Sequence, residues 1–77
     1  MEYIIVEVKD QPNVDAGVLI NGQANGRTGV LLTLGGPGWI LVSVDWPGAK
    51  GQVVEVKNTT PLHPMNVDIQ CEGRATA

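Results

Sequence analysis

Val30–Asp45 reads VLLTLGGPGWILVSVD. Val30, Leu32 and Leu34 alternate with Leu31 and Thr33. After the break, Ile40, Val42 and Val44 alternate with Trp39, Leu41, Ser43 and Asp45. A period of two puts alternate residues on one face of a strand. Between the runs stands Gly35-Gly36-Pro37-Gly38. Proline fixes its own φ and lacks an N–H, and glycine accepts backbone angles that other residues avoid. The stretch predicts strand, hairpin turn, strand, with Val30, Leu32, Leu34 and Ile40, Val42, Val44 facing inward. Thr28–Val44 carries no charge, but a helix broken at the tetrad would strand backbone groups in lipid, so no membrane insertion is expected.

The same grammar extends in both directions. Tyr3–Lys9 alternates, with Ile4, Val6 and Val8 inward, and Asp10-Gln11-Pro12-Asn13 reads as a turn. Gly17–Asn21 is a short strand with Val18 and Ile20 on one face. Asn21-Gly22 and Asn25-Gly26 are turn pairs, which makes Asn21–Gly29 a loop or wide hairpin connection. Gln52–Lys57 places Val54 and Val56 inside. Asn58–Pro64 holds two prolines and reads as a loop. Met65–Cys71 places Met65, Val67, Ile69 and Cys71 inside, with Asn66, Asp68 and Gln70 outside.

Composition agrees. Eleven Val and five Ile stand against six Leu and no Phe. β-Branched side chains are stiff at the first torsion and suit a pleated surface. Ten Gly and five Pro leave Met1–Gln11 as the longest stretch free of both, so little room for helix remains. The fold class is all-β: a small antiparallel β-sandwich of six to seven short strands. Its 77 residues allow one domain, 1–72, followed by a flexible tail, 73–77.

A net charge of −3 and five scattered basic residues, Lys9, Arg27, Lys50, Lys57 and Arg74, exclude a basic stripe, so nucleic acid is not an expected partner. One cysteine, Cys71, permits no intramolecular disulfide and fits a reducing compartment. A chain complete as given would be cytoplasmic. One excised from an exported parent would be envelope-associated.

Few residues suggest chemistry. His63, between Pro61 and Pro64, has no partner at zinc-site spacing and reads as a solvent-facing loop residue. Cys71 continues an inward apolar series and reads as core. Gly35–Gly38 is followed by a strand, whereas a phosphate cradle needs a helix N-terminus. Asp15, Asp45, Glu55 and Asp68 form no Asp-x-Asp-x-Asp loop and read as surface charge. No catalytic residue, cofactor or metal is expected.

The outward faces are more informative. Ile5, Leu19, Leu31, Leu41 and Val53 fall on the solvent side of their strands. A contiguous set would form a patch that a monomer rarely exposes. Trp39 and Trp46 flank the fourth strand. Seven residues apart on an extended strand, they are expected on opposite faces and over about 20 Å apart. Each offers an apolar ring with one N–H donor, suited to a protein interface or to stacking on a sugar ring. The candidate interaction surface is therefore Trp39, Leu41, Trp46, Ile5, Leu19 and Leu31.

The order of these signals resembles the PEGA domain. The matching residues are Val18-Leu19-Ile20-Asn21-Gly22, Gly26-Arg27-Thr28-Gly29, Leu32-Thr33-Leu34, Pro37-Gly38, Leu41-Val42-Ser43-Val44, Pro47-Gly48-Ala49 and the strand Val53–Val56. The naming Pro-Glu-Gly-Ala tetrad is absent, its nearest stretch being Pro12–Ala16. Gly29 stands where a proline is usual, and Ala49 where an aromatic is usual. The resemblance implies a β-sandwich and a non-catalytic binding or spacer unit, often envelope-associated and appended to larger proteins. It supplies no catalytic residues. The expectation is an interaction or structural module, self-associating or part of a larger assembly, with protein as partner. The alternative is a carbohydrate-binding module using Trp39 or Trp46.

Overall fold

A computed structural model describes residues 1–72. The flexible tail expected at 73–77 lies outside the described residues. Those described form seven strands and no helix: β1 Glu2–Val8, β2 Gly17–Ile20, β3 Gln23–Arg27, β4 Leu32–Leu34, β5 Gly38–Val44, β6 Gln52–Val56 and β7 Met65–Ile69. They make two sheets, one ordered β4-β1-β7 and one ordered β3-β2-β5-β6.

The inner faces meet in one core. The three-stranded sheet contributes Ile4, Val6, Val8, Leu32, Leu34, Val67 and Ile69. The four-stranded sheet contributes Val18, Val42, Val44, Val54 and Val56. The period-two assignment of inward residues holds for all of these. Ile20, Ile40, Met65 and Cys71 are only partly buried at the margins.

Four expectations are corrected. First, the segment read as a loop, Asn21–Gly29, contains β3. The turn is the pair Asn21-Gly22 alone, with φ of 51° and 83°, closing a hairpin in which Ile20 faces Gln23. Positive φ at both central residues is the geometry whose twist suits a two-residue hairpin. β3 has no apolar alternation because it is an edge strand whose residues are mostly exposed. A register shift between Gly17 and Leu19 marks a bulge opposite Asn25-Gly26. Gly26 has φ of 74°, and an added Cβ there would overlap the Leu32 side chain.

Second, β4 begins at Leu32, and Val30 is 53% exposed rather than inward. Thr28 accounts for this. It is buried, its Oγ1 accepts from the Ala16 N–H (3.1 Å) and donates to the Val14 carbonyl (2.7 Å), and its N–H donates to the Ala16 carbonyl (2.9 Å). The hydroxyl oxygen stands where a ladder carbonyl would be. The backbone is then free to leave the sheet, and the Gly29 N–H donates to Val6 in the other layer (2.9 Å). Val30 and Leu31 fall on that crossing.

Third, Gly35–Gly38 is not a hairpin turn. β4 and β5 lie in different sheets, so the tetrad carries the chain between layers. Strand–turn–strand grammar is the same for both, because each strand has one inward face. Fourth, the pairing is not wholly antiparallel: β1 runs parallel to β7, from Ile4 opposite Met65 to Val8 opposite Ile69. Tight turns impose antiparallel pairing only on consecutive strands. β1 and β7 are joined by the rest of the chain, which provides the crossover.

Two further stitches hold the layers. Cys71 bridges Ala49, with the Lys50 N–H donating to Gln70 (2.9 Å) and the Glu72 N–H to Gly48 (2.7 Å). This ties the end of β7 to the β5–β6 connection. At the other end Glu2, only 9% exposed, accepts on Oε1 from the Thr59 hydroxyl (2.5 Å) and the Thr59 N–H (2.9 Å). Thr59 Oγ1 in turn accepts from the Tyr3 N–H (2.7 Å). These bonds, the hydroxyl's first and the backbone's second, hold the Glu2 carboxyl below its ordinary 4.5. They favour the charged form, and burial opposes them only in part. The folded value lies below the unfolded one, so the stabilisation is complete above about pH 4.5 and is lost as pH falls through the folded value. Glu2→Gln is expected to lower the urea midpoint at pH 6, with the gap to wild type closing at pH 3. A gap that persists at pH 3 would show that the carboxylate charge is not the cause.

Candidate functional site

The outer face of the four-stranded sheet carries the most exposed apolar strip in the strands. β5 pairs with β6 so that Leu41 faces Val53 and Trp39 faces Glu55. Leu41 is 43% exposed, Val53 62% and Trp39 68%. Cross-strand neighbours on one face have Cβ atoms about 4.5–5.5 Å apart. Trp39 and Leu41 are two residues apart on the same strand and share that face. The three side chains are therefore contiguous. On the other side of β5, Ser43 faces Leu19, and Leu19 faces Ala24. Leu19 is half-buried and extends the strip toward β3.

The strip is held from two sides. Asn21 clamps Leu41 with both of its polar groups: its N–H donates to the Leu41 carbonyl (2.8 Å), and its Oδ1 accepts from the Leu41 N–H (2.9 Å). Beyond Val53, Leu41 leans over Gly51, where an added Cβ would lie 3.1 Å from Leu41 Cδ1. Glu55 lies 3.8 Å from Lys57 on the exposed surface at that end of the strip.

The six candidate surface residues do not form one patch. Trp39, Leu41 and Leu19 share the face. Ile5 lies on the outer face of the other sheet, opposite Asn66 and between Tyr3 and Glu7, and is half-buried. Leu31 is exposed on the crossing before β4. Trp46 lies past the end of β5 in the turn closed by the Ala49 N–H on the Trp46 carbonyl (3.0 Å), at the opposite end of the strand from Trp39. Val53, which belongs to the outward apolar set but not to the six, is the residue opposite Leu41. Its pairing was not readable without the register. Leu62 was also missed: it is 86% exposed in the tight turn between Thr60 and His63, which bond each other's backbone at 3.0 and 3.3 Å.

The other chemistry-bearing residues are dispersed. His63 is exposed in that turn, and its N–H is bound to Thr60. Cys71 is half-buried at the Ala49 bridge. Asp15 pairs with Arg27 at 2.6 Å, Asp68 stands beside Glu7 on the outer face of the three-stranded sheet, and Asp45 is exposed. Among the described residues no three His, Cys, Asp or Glu side chains converge to hold a metal ion. No family model, curated protein or solved structure matches the chain.

Proposed function

We propose that this chain is a non-catalytic β-sandwich interaction module that takes a protein partner, a second copy or a larger assembly, on the outer face of its four-stranded sheet. The observation that carries the reading is the contiguity of Trp39, Leu41 and Val53, exposed together on one face. Trp39 alone has enough ring in solvent to anchor an interface, and tryptophan is enriched among residues that dominate binding energy. The PEGA-like order of turns and strands from Val18 to Val56 supports a module whose role is contact rather than chemistry. The same exposure of Trp39, with the Glu55 carboxylate opposite it, supports carbohydrate stacking as a second reading.

Trp39 fluorescence in a Trp46→Phe background tests both. Self-association at this face withdraws the indole from water and moves its emission to shorter wavelength as concentration rises. Stacking on a polysaccharide shifts or quenches it at fixed low protein concentration. An emission spectrum that responds in neither series, together with no protein captured by the immobilised chain, overturns both readings.

A further inference from the structure

Beside the apolar strip the four-stranded sheet ends at β6, and the ladder fixes where its backbone points. The Asn21 N–H donates to the Leu41 carbonyl and the Asp45 N–H to the Gly17 carbonyl. Leu41, Ser43 and Asp45 therefore direct their backbone groups toward β2. In an antiparallel sheet the direction alternates along the strand, so Gly38, Ile40 and Val42 direct theirs toward β6. Their partners Val56, Val54 and Gln52 point back at β5. Val53 and Glu55 must then present both N–H and C=O outward, at an edge with no further strand among the described residues.

The other edges are blunted in ways β6 is not. β3 is bulged at Asn25-Gly26, β4 is three residues long, and β7 follows Pro64 and is crossed at its end by Gly48–Lys50. Natural sheets protect edges by such devices. β6 has neither proline nor bulge, and its one charged residue, Glu55, lies 3.8 Å from Lys57. Unpaired main-chain groups in a row accept an extended strand.

The geometry points to a second copy of this chain, paired antiparallel through β6 with a two-fold axis between the two Val53 residues. This rests on the reading of the four-stranded sheet as protein-binding, and it places a copy-to-copy contact at the β6 edge, beside the exposed face. Three two-fold registers let outward-pointing residues exchange bonds near the strand centre. One sets Glu55 against Glu55 of the second copy, a like-charge pair. One sets Val53 against Glu55, an apolar–charged mismatch. The third sets Val53 against Val53 and each Glu55 against Gly51, which has no side chain to oppose it. In that register Leu41, Val53, Val53 and Leu41 form one row across the joined sheets, and the two carboxylates stay apart. Like charges directly opposite destabilise a pair and apolar pairs stabilise it, so the third register is selected. The product is a continuous eight-stranded sheet closed by two-fold symmetry.

The test combines solution mass by light scattering with amide hydrogen exchange on the full chain, from about 10 µM to about 1 mM. Mass is expected to double over this range, with the Val53 and Glu55 amides slowing about tenfold or more. Val53→Pro removes the outward N–H without touching the β5 ladder, and is expected to be folded and monomeric. Val53→Lys, which sets two ammonium groups against each other at the axis, gives the same result should the proline variant fail to fold. A dimer whose Val53 and Glu55 amides exchange freely overturns the edge pairing while leaving the apolar face as the contact. A monomer at about 1 mM overturns the pairing outright, and the face then requires a partner other than this chain.

Discussion

Val42→Asp is expected to leave no folded protein at 25 °C, whereas Leu41→Asp, one residue earlier, is expected to leave the fold intact and abolish partner binding on the outer face. Val42 is fully buried at the centre of β5, with Val18 and Val54 in the same core. An unpaired carboxylate there costs about 3–5 kcal/mol or raises its pKa at similar expense, and the lost valine adds about 2 kcal/mol. A domain of this size has a total stability of about 4–11 kcal/mol. The core substitution therefore consumes about half to all of it. At Leu41 the new carboxylate stays in water, and the clamp from Asn21 holds backbone groups that any residue retains. Far-UV circular dichroism and light scattering on the two variants separate the cases. If Leu41→Asp also unfolds the protein, the strip is structural rather than a contact surface. If it folds and still associates, the copy-to-copy contact is the β6 edge and not the outer face.

The next largest effect is expected at Thr28→Val. The substitution keeps shape and removes the hydroxyl that serves the Ala16 N–H and the Val14 carbonyl. Leaving a buried donor without a partner costs about 1–3 kcal/mol. For a domain of this size, about 2 kcal/mol corresponds to a fall in Tm of about 8–16 °C. Thr28→Ser retains the hydroxyl and is expected to recover most of the loss. Calorimetry on the three proteins checks this. A Thr28→Val protein that melts with wild type would show that water replaces the hydroxyl, and that the crossing from β3 to β4 does not depend on it.

The inward residues of five strands were legible because burial on one face imposes a period of two, and that period survives in Ile4/Val6/Val8, Val42/Val44 and Val67/Ile69. Asn21-Gly22 was legible because few other pairs tolerate positive φ twice. β3 was not. An edge strand exposed on both sides owes its conformation to the hydrogen bonds of β2, and Gln23–Arg27 has no pattern to betray it. Layer assignment was equally silent. Leu32–Leu34 and Gly38–Val44 each present one apolar face, and nothing in either says whether they pair or pack. The surface strip was half legible for the same reason. Outward apolar residues can be named from parity, but which of them are neighbours depends on strand order. That order separates Ile5 from Leu41 and joins Val53 to it.

The parallel pairing of β1 with β7 has a consequence for the protein as it is made. β1 is the middle strand of its sheet, yet one of its two neighbours is the last of the seven described strands to be synthesised. Until Met65–Ile69 is available, the backbone groups of Ile5, Glu7 and Lys9 lack their partners, and Ile4, Val6 and Val8 have part of their apolar face uncovered. Contacts this distant along the chain close slowly, because loop-closure entropy is lost before they form. The β2–β3 and β5–β6 hairpins need only nearby residues, so the four-stranded sheet is free to assemble first. The newborn chain thus passes through an interval with an open edge on β1, the kind of species most prone to aggregate. A copy stalled before β7 would be a hazard to its neighbours, and the arrival of Met65–Ile69 is what ends the exposure.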